Sequence, residues 1–91
     1  MNDVFSRISK IYPGLKKAEK KIADLILADA DFFLRGSITD VAEAAGVSAS
    51  SLTRFSRLLE VEGFRELKLS IAQAKSAQSP YYHQSIQALD E

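Results

Sequence analysis

The chain has 91 residues, of which 46% are hydrophobic and 26% charged, and it contains no cysteine. This balance is typical of one soluble domain with a single small core, and not of a disordered segment or several domains. The lack of cysteine excludes disulfides, thiolate nucleophiles and cysteine-ligated zinc, and it is compatible with the reducing cytoplasm where we expect the protein. No apolar run approaches the ~20 residues of a membrane span, so no membrane partner is predicted.

The formal net charge is zero at pH 7, which by itself argues against binding to nucleic-acid phosphates. The charges are, however, unevenly distributed along the chain. Residues 1–28 and 49–75 carry net charges of +3 and +2, whereas residues 29–48 and 76–91 carry −3 and −2. The two basic blocks can therefore form one cationic face of the folded domain.

The first half of the chain shows apolar side chains at helical spacing. Residues 3–11 are predicted to form a short helix with Asp3 as its N-cap, and a proline-glycine pair ends it. The longest predicted helix covers residues 15–28, with an apolar stripe on one side and lysines on the other. Residues 29–36 are predicted to be a connector with a single helical turn, whose aromatic side chains dock into the core.

Two short helices with clear start and stop signals follow the connector. Ser37 and Asp40 resemble a capping box that opens the first of them. Gly46 ends it, because glycine readily adopts the left-handed conformation that closes a helix. Ser48 is a good N-cap for the second helix, which starts almost at once. Residues 38–59 are thus predicted to be two helices joined by a tight glycine turn.

The last core helix is predicted at about residues 64–76. Because no stretch alternates with period two, the predicted fold is all-α: a five-helix bundle containing a helix-turn-helix, with a partial sixth helix at the C-terminus. Residues 1–76 form the domain in this interpretation. Residues 77–91 have linker composition and then an amphipathic pattern of Tyr82, Ile86 and Leu89 that stops before three turns. That truncated pattern indicates a fragment of a longer protein.

Residues 38–58 meet the requirements of a helix-turn-helix: two short helices, a turn with glycine, and a second helix with a polar outer face of small side chains. Hydroxyls can bond to phosphates or base edges, a methyl group can pack on thymine, and arginine can span guanine O6 and N7. Helices selected for stability alone favour Glu, Lys or Gln at exposed positions, so hydroxyl-bearing residues at such positions favour a binding role. The residues predicted to face outward and contact DNA are Ser48, Ala49, Ser50, Ser51, Thr53, Arg54 and Arg57.

Basic residues on other helices are candidates for contacts with the phosphate backbone, which fix register without reading sequence. Lys16, Lys17, Lys20 and Lys21 lie on the basic face of the 15–28 helix, where they are either solvated or placed along the phosphate backbone. Lys17 and Lys20 are taken as the candidates from this face, and Lys68 lies on the predicted outer face of the last core helix. Arg57 is expected to behave in the same way if the end of the second helix flanks the groove. Arg54, near the middle of that helix, is expected to contact a base edge or an adjacent phosphate.

The order and spacing of these residues resemble a known family. The run Ser37-Ile-Thr-Asp-Val-Ala-Glu-Ala-Ala-Gly-Val-Ser-Ala-Ser-Ser-Leu-Thr-Arg-Phe-Ser-Arg-Leu-Leu, followed by Glu62-Gly-Phe-Arg-Glu-Leu-Lys68, is similar to the N-terminal domain of the RpiR family of bacterial regulators. The upstream run from Leu15 to Leu27 looks like the second helix of that family. Together the resemblance covers about residues 4–75.

The resemblance implies a domain that binds double-stranded DNA in a transcriptional regulator of sugar or phosphosugar metabolism. In the family this domain precedes a sugar-isomerase-type domain that binds phosphosugars, so an effector would act only through a C-terminal domain that this chain lacks. No cofactor is expected. The chain departs from the family pattern at Glu60, where glycine is usual, and at Ser51, where threonine is frequent.

Other classes of function find less support in the sequence. The single histidine, His83, lies in the tail without a cysteine or a carboxylate cluster beside it, so neither catalysis nor metal binding is predicted. The open alternative is a helical protein–protein interaction or dimerisation module without DNA binding. We also expect a homodimer, because one recognition helix reads only a few base pairs. Its candidate contacts are Val4, Phe5, Ile8, Ile11, Tyr82, Ile86 and Leu89.

Overall fold

The computed structural model describes residues 3–77, and this part of the chain is entirely helical apart from its turns, which confirms the all-α fold. The α-helices are α1 (Val4–Ile11), α2 (Lys17–Ala28), α3 (Ala30–Arg35), α4 (Ile38–Ala45), α5 (Ala49–Leu58) and α6 (Phe64–Ala77), and a 3-10 helix (Tyr12–Gly14) joins α1 to α2. Among residues 3–77 no helix combines the length and apolar character needed to cross a bilayer. The predicted tail features, Tyr82, His83, Ile86 and Leu89, lie outside the described residues.

The helices start where side chains can satisfy the first backbone amides. Asp3 Oδ1 accepts a hydrogen bond from the Ser6 amide at 2.9 Å, as predicted for the N-cap of α1. The predicted capping box of α4 is also confirmed. Ser37 Oγ accepts from the Asp40 amide at 3.1 Å, and Asp40 Oδ2 accepts from the Ser37 amide at 3.2 Å. These local bonds fix the start of α4 before any tertiary contact is considered.

The connector between α2 and α4 is more regular than a single turn. Asp29 Oδ1 accepts from the Phe32 amide at 3.1 Å and caps the six-residue helix α3. Phe33 is fully buried, and its ring centroid lies 5.3 Å from that of Phe64. The described residues therefore contain six α-helices where five and a connector were predicted, because the aromatic anchor of the connector is supported by its own cap.

The hydrophobic core draws on every helix. Its buried apolar residues are Val4, Ile8, Ile22, Ala23, Ile26, Phe33, Val41, Ala42, Leu52, Phe55, Leu59, Leu67, Ile71 and Ala74. Val4 and Ile8 are 4% and 0% exposed, so the prediction that they form part of a free dimer surface is wrong. The reason is that α1 packs against α6 and closes the core with these two side chains. Phe5 and Ile11 are half-buried against the same core.

An ion pair ties the C-terminal part of α6 to α3. Lys75 Nζ lies 2.6 Å from Asp31 Oδ1, with both side chains substantially exposed to solvent. The hydrogen bond from this ammonium, supported by its charge, holds the pKa of the Asp31 carboxyl below its usual value. Because the folded-state pKa is lowered, the interaction is present above the ordinary Asp range and is lost as pH falls through the lowered value.

The turn after α5 contains a strained backbone position. Glu60 has φ 65°, the one positive φ of a non-glycine residue in the described chain. The Glu60 amide donates to the Arg57 carbonyl at 2.9 Å, and the Val61 amide donates to the Ser56 carbonyl at 3.2 Å, which is how helices often close. The left-handed conformation costs a residue with a β-carbon about 1–2 kcal/mol. This cost is consistent with the glycine expected at this position from the family resemblance.

We expect Glu60→Gly to be more stable than Glu60→Ala by about 0.5–1 kcal/mol in free energy of unfolding, because both remove the exposed side chain but only glycine relieves the strain. Urea denaturation followed by circular dichroism measures the difference. Equal stability of the two variants would show that the left-handed position carries no strain.

Candidate nucleic-acid interface

The turn between α4 and α5 is built from three residues with distinct roles. Gly46 has φ 72° and ψ 37°, so the predicted left-handed glycine is confirmed. The Val47 amide donates to the Ala42 carbonyl at 2.9 Å and closes α4. Ser48 Oγ accepts from the Ser51 amide at 3.2 Å, which confirms Ser48 as the N-cap of α5. Each residue of the turn thus ends one helix or begins the next.

The inner faces of α4 and α5 fix how the two helices sit on the core. Val41 and Ala42 of α4 and Leu52 and Phe55 of α5 are all buried. Ala42 is a small residue at this buried position, and α4 and α5 pack against each other. α2 packs against both α4 and α5. α6 also packs against α5. The orientation of α5 is therefore set by three neighbouring helices, and its opposite face is left to solvent.

The outer face of α5 carries small and polar side chains together with two cations. Ser48, Ala49, Ser50, Arg54 and Arg57 are exposed, as the periodicity predicts. The ten residues of α5 include no carboxylate. This face can therefore approach phosphates and base edges without charge repulsion.

Thr53 and Ser51 are less exposed to solvent than the other residues of α5 predicted to contact DNA. Thr53 is half-buried, and its Oγ1 lies 3.4 Å from the Ala49 carbonyl oxygen to which it donates. Ser51 is only 8% exposed, so the prediction that it lies on the outer face is wrong. Its hydroxyl shares a 3.1 Å hydrogen bond with Ser48 Oγ. Ser51 precedes Phe55 by one helical turn, so it lies at the edge of the buried face of α5.

A groove of about 340 Å³ separates the start of α2 from α5. Lys16, Ala18 and Glu19 line it from α2 and its N-cap, and Ser51 and Arg54 line it from α5. The Arg54 guanidinium reaches back along its helix, with Nη2 3.4 Å from Ser51 Oγ. The groove thus places two cations, one from each helix, beside the first half of α5.

The lysines of α2 point in different directions. Lys21 Nζ lies 4.0 Å from the position that a β-carbon would occupy at Gly46, beside the turn of the motif. Lys20 Nζ instead lies 5.5 Å from the centroid of the Tyr12 ring, on the side of the 3-10 helix. Lys17 is exposed. Lys16 and Lys21 are therefore the cations of this segment next to the motif. The sequence places both on the basic face of the helix, but it favours Lys17 and Lys20 as the backbone contacts.

The sequence predicts Lys68 on the outer face of the last core helix, but its side chain is turned toward α3. Its Nζ donates to the Gly36 carbonyl at 2.9 Å and lies 5.1 Å from the centroid of the Phe64 ring. Gly36 is the C-cap of α3, where the helix dipole favours a cation. The side chain of Lys68 is thus used to fasten α6 to the end of α3.

Short helices joined in this way, with one of them presenting a cationic face away from the core, define a DNA-binding domain of the helix-turn-helix class. Residues 2–78 match the helix-turn-helix domain of the rpiR family, and the chain belongs to that family.

Several relatives carry the same domain within longer chains. An uncharacterized HTH-type transcriptional regulator of Thermotoga maritima is 41% identical over 75 residues, which cover 81% of this chain and 27% of the relative. HexR, an HTH-type transcriptional regulator of Escherichia coli, is 32% identical over 84 residues, or 92% of this chain and 29% of the relative. The bifunctional protein glk of Paraburkholderia xenovorans is 32% identical over 83 residues, which cover 91% of this chain and 13% of the relative. The chain thus spans less than a third of the length of these relatives.

Neighbouring serines of α5 provide a test of which face of the helix is buried. We expect Ser51→Leu to lower the free energy of unfolding by about 1–3 kcal/mol, because the larger side chain has to be accommodated at a position that is only 8% exposed. Ser50→Leu is the matched control, since Ser50 is exposed, and its effect should stay within about 0.5 kcal/mol. Thermal and urea unfolding measure both variants. Similar stabilities would mean that Ser51 faces solvent.

Proposed function

We propose that this domain reads operator DNA, with α5 as the recognition helix in the major groove, for a transcriptional regulator of sugar or phosphosugar metabolism. The observation that carries the proposal is the outer face of α5, where exposed small and hydroxyl-bearing residues accompany two arginines and no acid. A helix with this face fits the width of the major groove and can approach base edges.

The same face argues against the alternative of a protein–protein module without DNA binding. The centre of a protein interface is poor in charged residues and rich in large apolar ones. On α5 the one exposed large apolar side chain is Leu58, which is 47% exposed and lies at the end of the helix. The middle of the face is instead occupied by Ser50 and Arg54. This composition favours a nucleic acid over an apolar partner.

Within the proposed complex the residues of α5 divide into two groups. Recognition helices contact bases mainly through their N-terminal residues, and this position belongs to Ala49 and Ser50. Arg54 lies near the middle of α5, but its guanidinium reaches back toward Ser51 and is assigned to the same group. Arg57 lies in the last turn and is assigned to the phosphate backbone. Ser48 keeps its role as the N-cap.

Phosphate contacts from outside the motif are assigned to α2. Lys16 borders the groove beside Arg54, and Lys21 lies beside the Gly46 turn, so both flank the proposed recognition helix. Lys17 is exposed on the same helix and joins them in the proposal. Lys20 and Lys68 are engaged with Tyr12 and with the Gly36 carbonyl, which makes them weaker candidates.

The rest of the proposal concerns the whole protein. The sugar-related role follows from the resemblance to the RpiR family, and the names HexR and bifunctional protein glk of two relatives agree with it. Residues 1–76 would act as the DNA-binding domain and residues 77–91 would lead to an effector domain that binds the phosphosugar, in the cytoplasm. A homodimer would place two recognition helices one DNA turn, ~34 Å, apart on a near-palindromic site.

The proposal is tested by selecting binding sites from a randomised duplex library with the purified chain. On the selected duplex, Arg54→Ala should weaken binding by about 1–3 kcal/mol and relax the preference at one base pair. Arg35→Ala is the matched control, because Arg35 is an exposed arginine on α3, outside the motif. Its affinity should stay close to that of the unaltered chain. If selection enriches no sequence, or if binding survives high salt, the protein–protein alternative is favoured.

A double variant tests the phosphate contacts of α2. Replacing Lys16 and Lys21 with glutamine should weaken binding to all duplexes about equally. The slope of log K against the logarithm of the salt concentration should fall by about 0.9 for each phosphate that is no longer neutralised. The matched control replaces Lys10 and Arg35 with glutamine, which removes the same charge from exposed positions on α1 and α3, outside the motif. If the first pair altered which sequence is preferred, with the salt slope unchanged, these lysines would not be backbone contacts.

A further inference from the structure

The C-terminal end of α5 is held by a residue from a distant part of the chain. Arg7 Nη2 of α1 donates a hydrogen bond to the carbonyl oxygen of Leu59, 52 positions away in sequence. The same nitrogen lies 3.5 Å from Glu60 Oε1. Leu59 is the C-cap of α5, so the guanidinium lies at the negative end of the helix dipole.

This end of α5 needs an external partner for its carbonyl groups. The last carbonyls of a helix have no partner inside the helix, and here the chain leaves α5 through the strained left-handed Glu60. A glycine at that position would close the helix without strain. The Arg7 contact supplies a charge-assisted hydrogen bond at the C-terminal end of α5, where the local sequence has no glycine to close the helix without strain.

Arg7 is well placed to act as a fixed support. Its neighbour Ile8 is fully buried and Val4 is 4% exposed, so α1 is anchored in the core on either side of Arg7. The side chain of Arg7 itself is only 37% exposed, which limits screening of its interactions by solvent. A movement of Leu59 therefore requires either the breaking of this bond or a shift of α1.

We propose that Arg7 is a positioning residue for DNA recognition: it fixes the end of α5 and thereby the side chain of Arg57, without contacting DNA itself. The inference rests on the proposed function, since it concerns the same recognition helix. Arg57 lies two residues before Leu59, so a displaced helix end moves its guanidinium away from the phosphate that it contacts. Small misplacements of a contacting group are enough to weaken an interaction that depends on geometry.

The test compares Arg7→Met, Arg7→Lys and the control Lys10→Met, which removes one exposed charge from the same helix. Affinity for the selected duplex is measured over a range of salt, at a temperature where circular dichroism shows every variant fully folded. Arg7→Met should bind about five- to tenfold more weakly, because the Arg57 guanidinium is no longer held in place. Its salt slope should fall by no more than about 0.9, the share of the weakened contact between Arg57 and its phosphate. Arg7→Lys should restore part of the affinity, and Lys10→Met should bind like the unaltered chain.

Amide hydrogen exchange in the free protein gives a second readout. In Arg7→Met, exchange should accelerate at residues 59–61 while the amides of the α4–α5 turn keep their rates. Combining Arg7→Met with Arg57→Gln separates the two roles, because the double variant should bind like Arg57→Gln alone if Arg7 acts through Arg57. A further loss of affinity with a further fall of the salt slope would make Arg7 itself a phosphate contact and overturn the inference. Unchanged affinity in Arg7→Met would reduce Arg7 to a contributor to stability and overturn it as well. Failure of the unaltered chain to bind any duplex would instead overturn the proposed function itself.

Discussion

The close approach of α5 to α2 and α4 is the constraint on which the remaining features depend. Leu52 and Phe55 of α5 are fully buried, as is Val41 of α4, and Ala42 beside it is 8% exposed. With one side of α5 committed to the core, the opposite side faces solvent as a continuous strip. The residues on that strip then determine what the domain can bind. The packing of α5 provides the rigid support on which these residues are presented.

The basic residues divide between structure and surface. Lys68 fastens α6 to the end of α3, Lys75 pairs with Asp31, and Arg7 holds the end of α5. These contacts join segments that are far apart in sequence. Lys16, Lys21, Arg54 and Arg57 instead border the motif or lie on its outer face. A chain with no net charge can therefore present a cationic surface, because its acids lie off α5 and part of its basic residues hold the fold together.

Much of the fold is predictable because its signals are local. The caps at Asp3, Ser37 and Ser48 and the left-handed Gly46 each depend on hydrogen bonds within a few residues, and the sequence predicts all four. The helical periodicity likewise locates the core side of each helix. Even the strained position at Glu60 is marked, since a glycine is usual there in the resembling family. These features belong to segments of about ten residues, over which sequence specifies conformation directly.

The amino-acid sequence alone therefore specifies the all-α class, the approximate ends of most helices and the presence of a helix-turn-helix. Which polar residues remain available for a ligand depends instead on how the helices pack. Ser51, predicted to face outward, is only 8% exposed, and Lys68 is turned to the Gly36 carbonyl. The contact of Arg7 with Leu59 has no signal in the sequence at all. The physical reason is common to these cases: a helical wheel gives the direction of a side chain about its own axis, whereas its partner depends on how separate helices pack together.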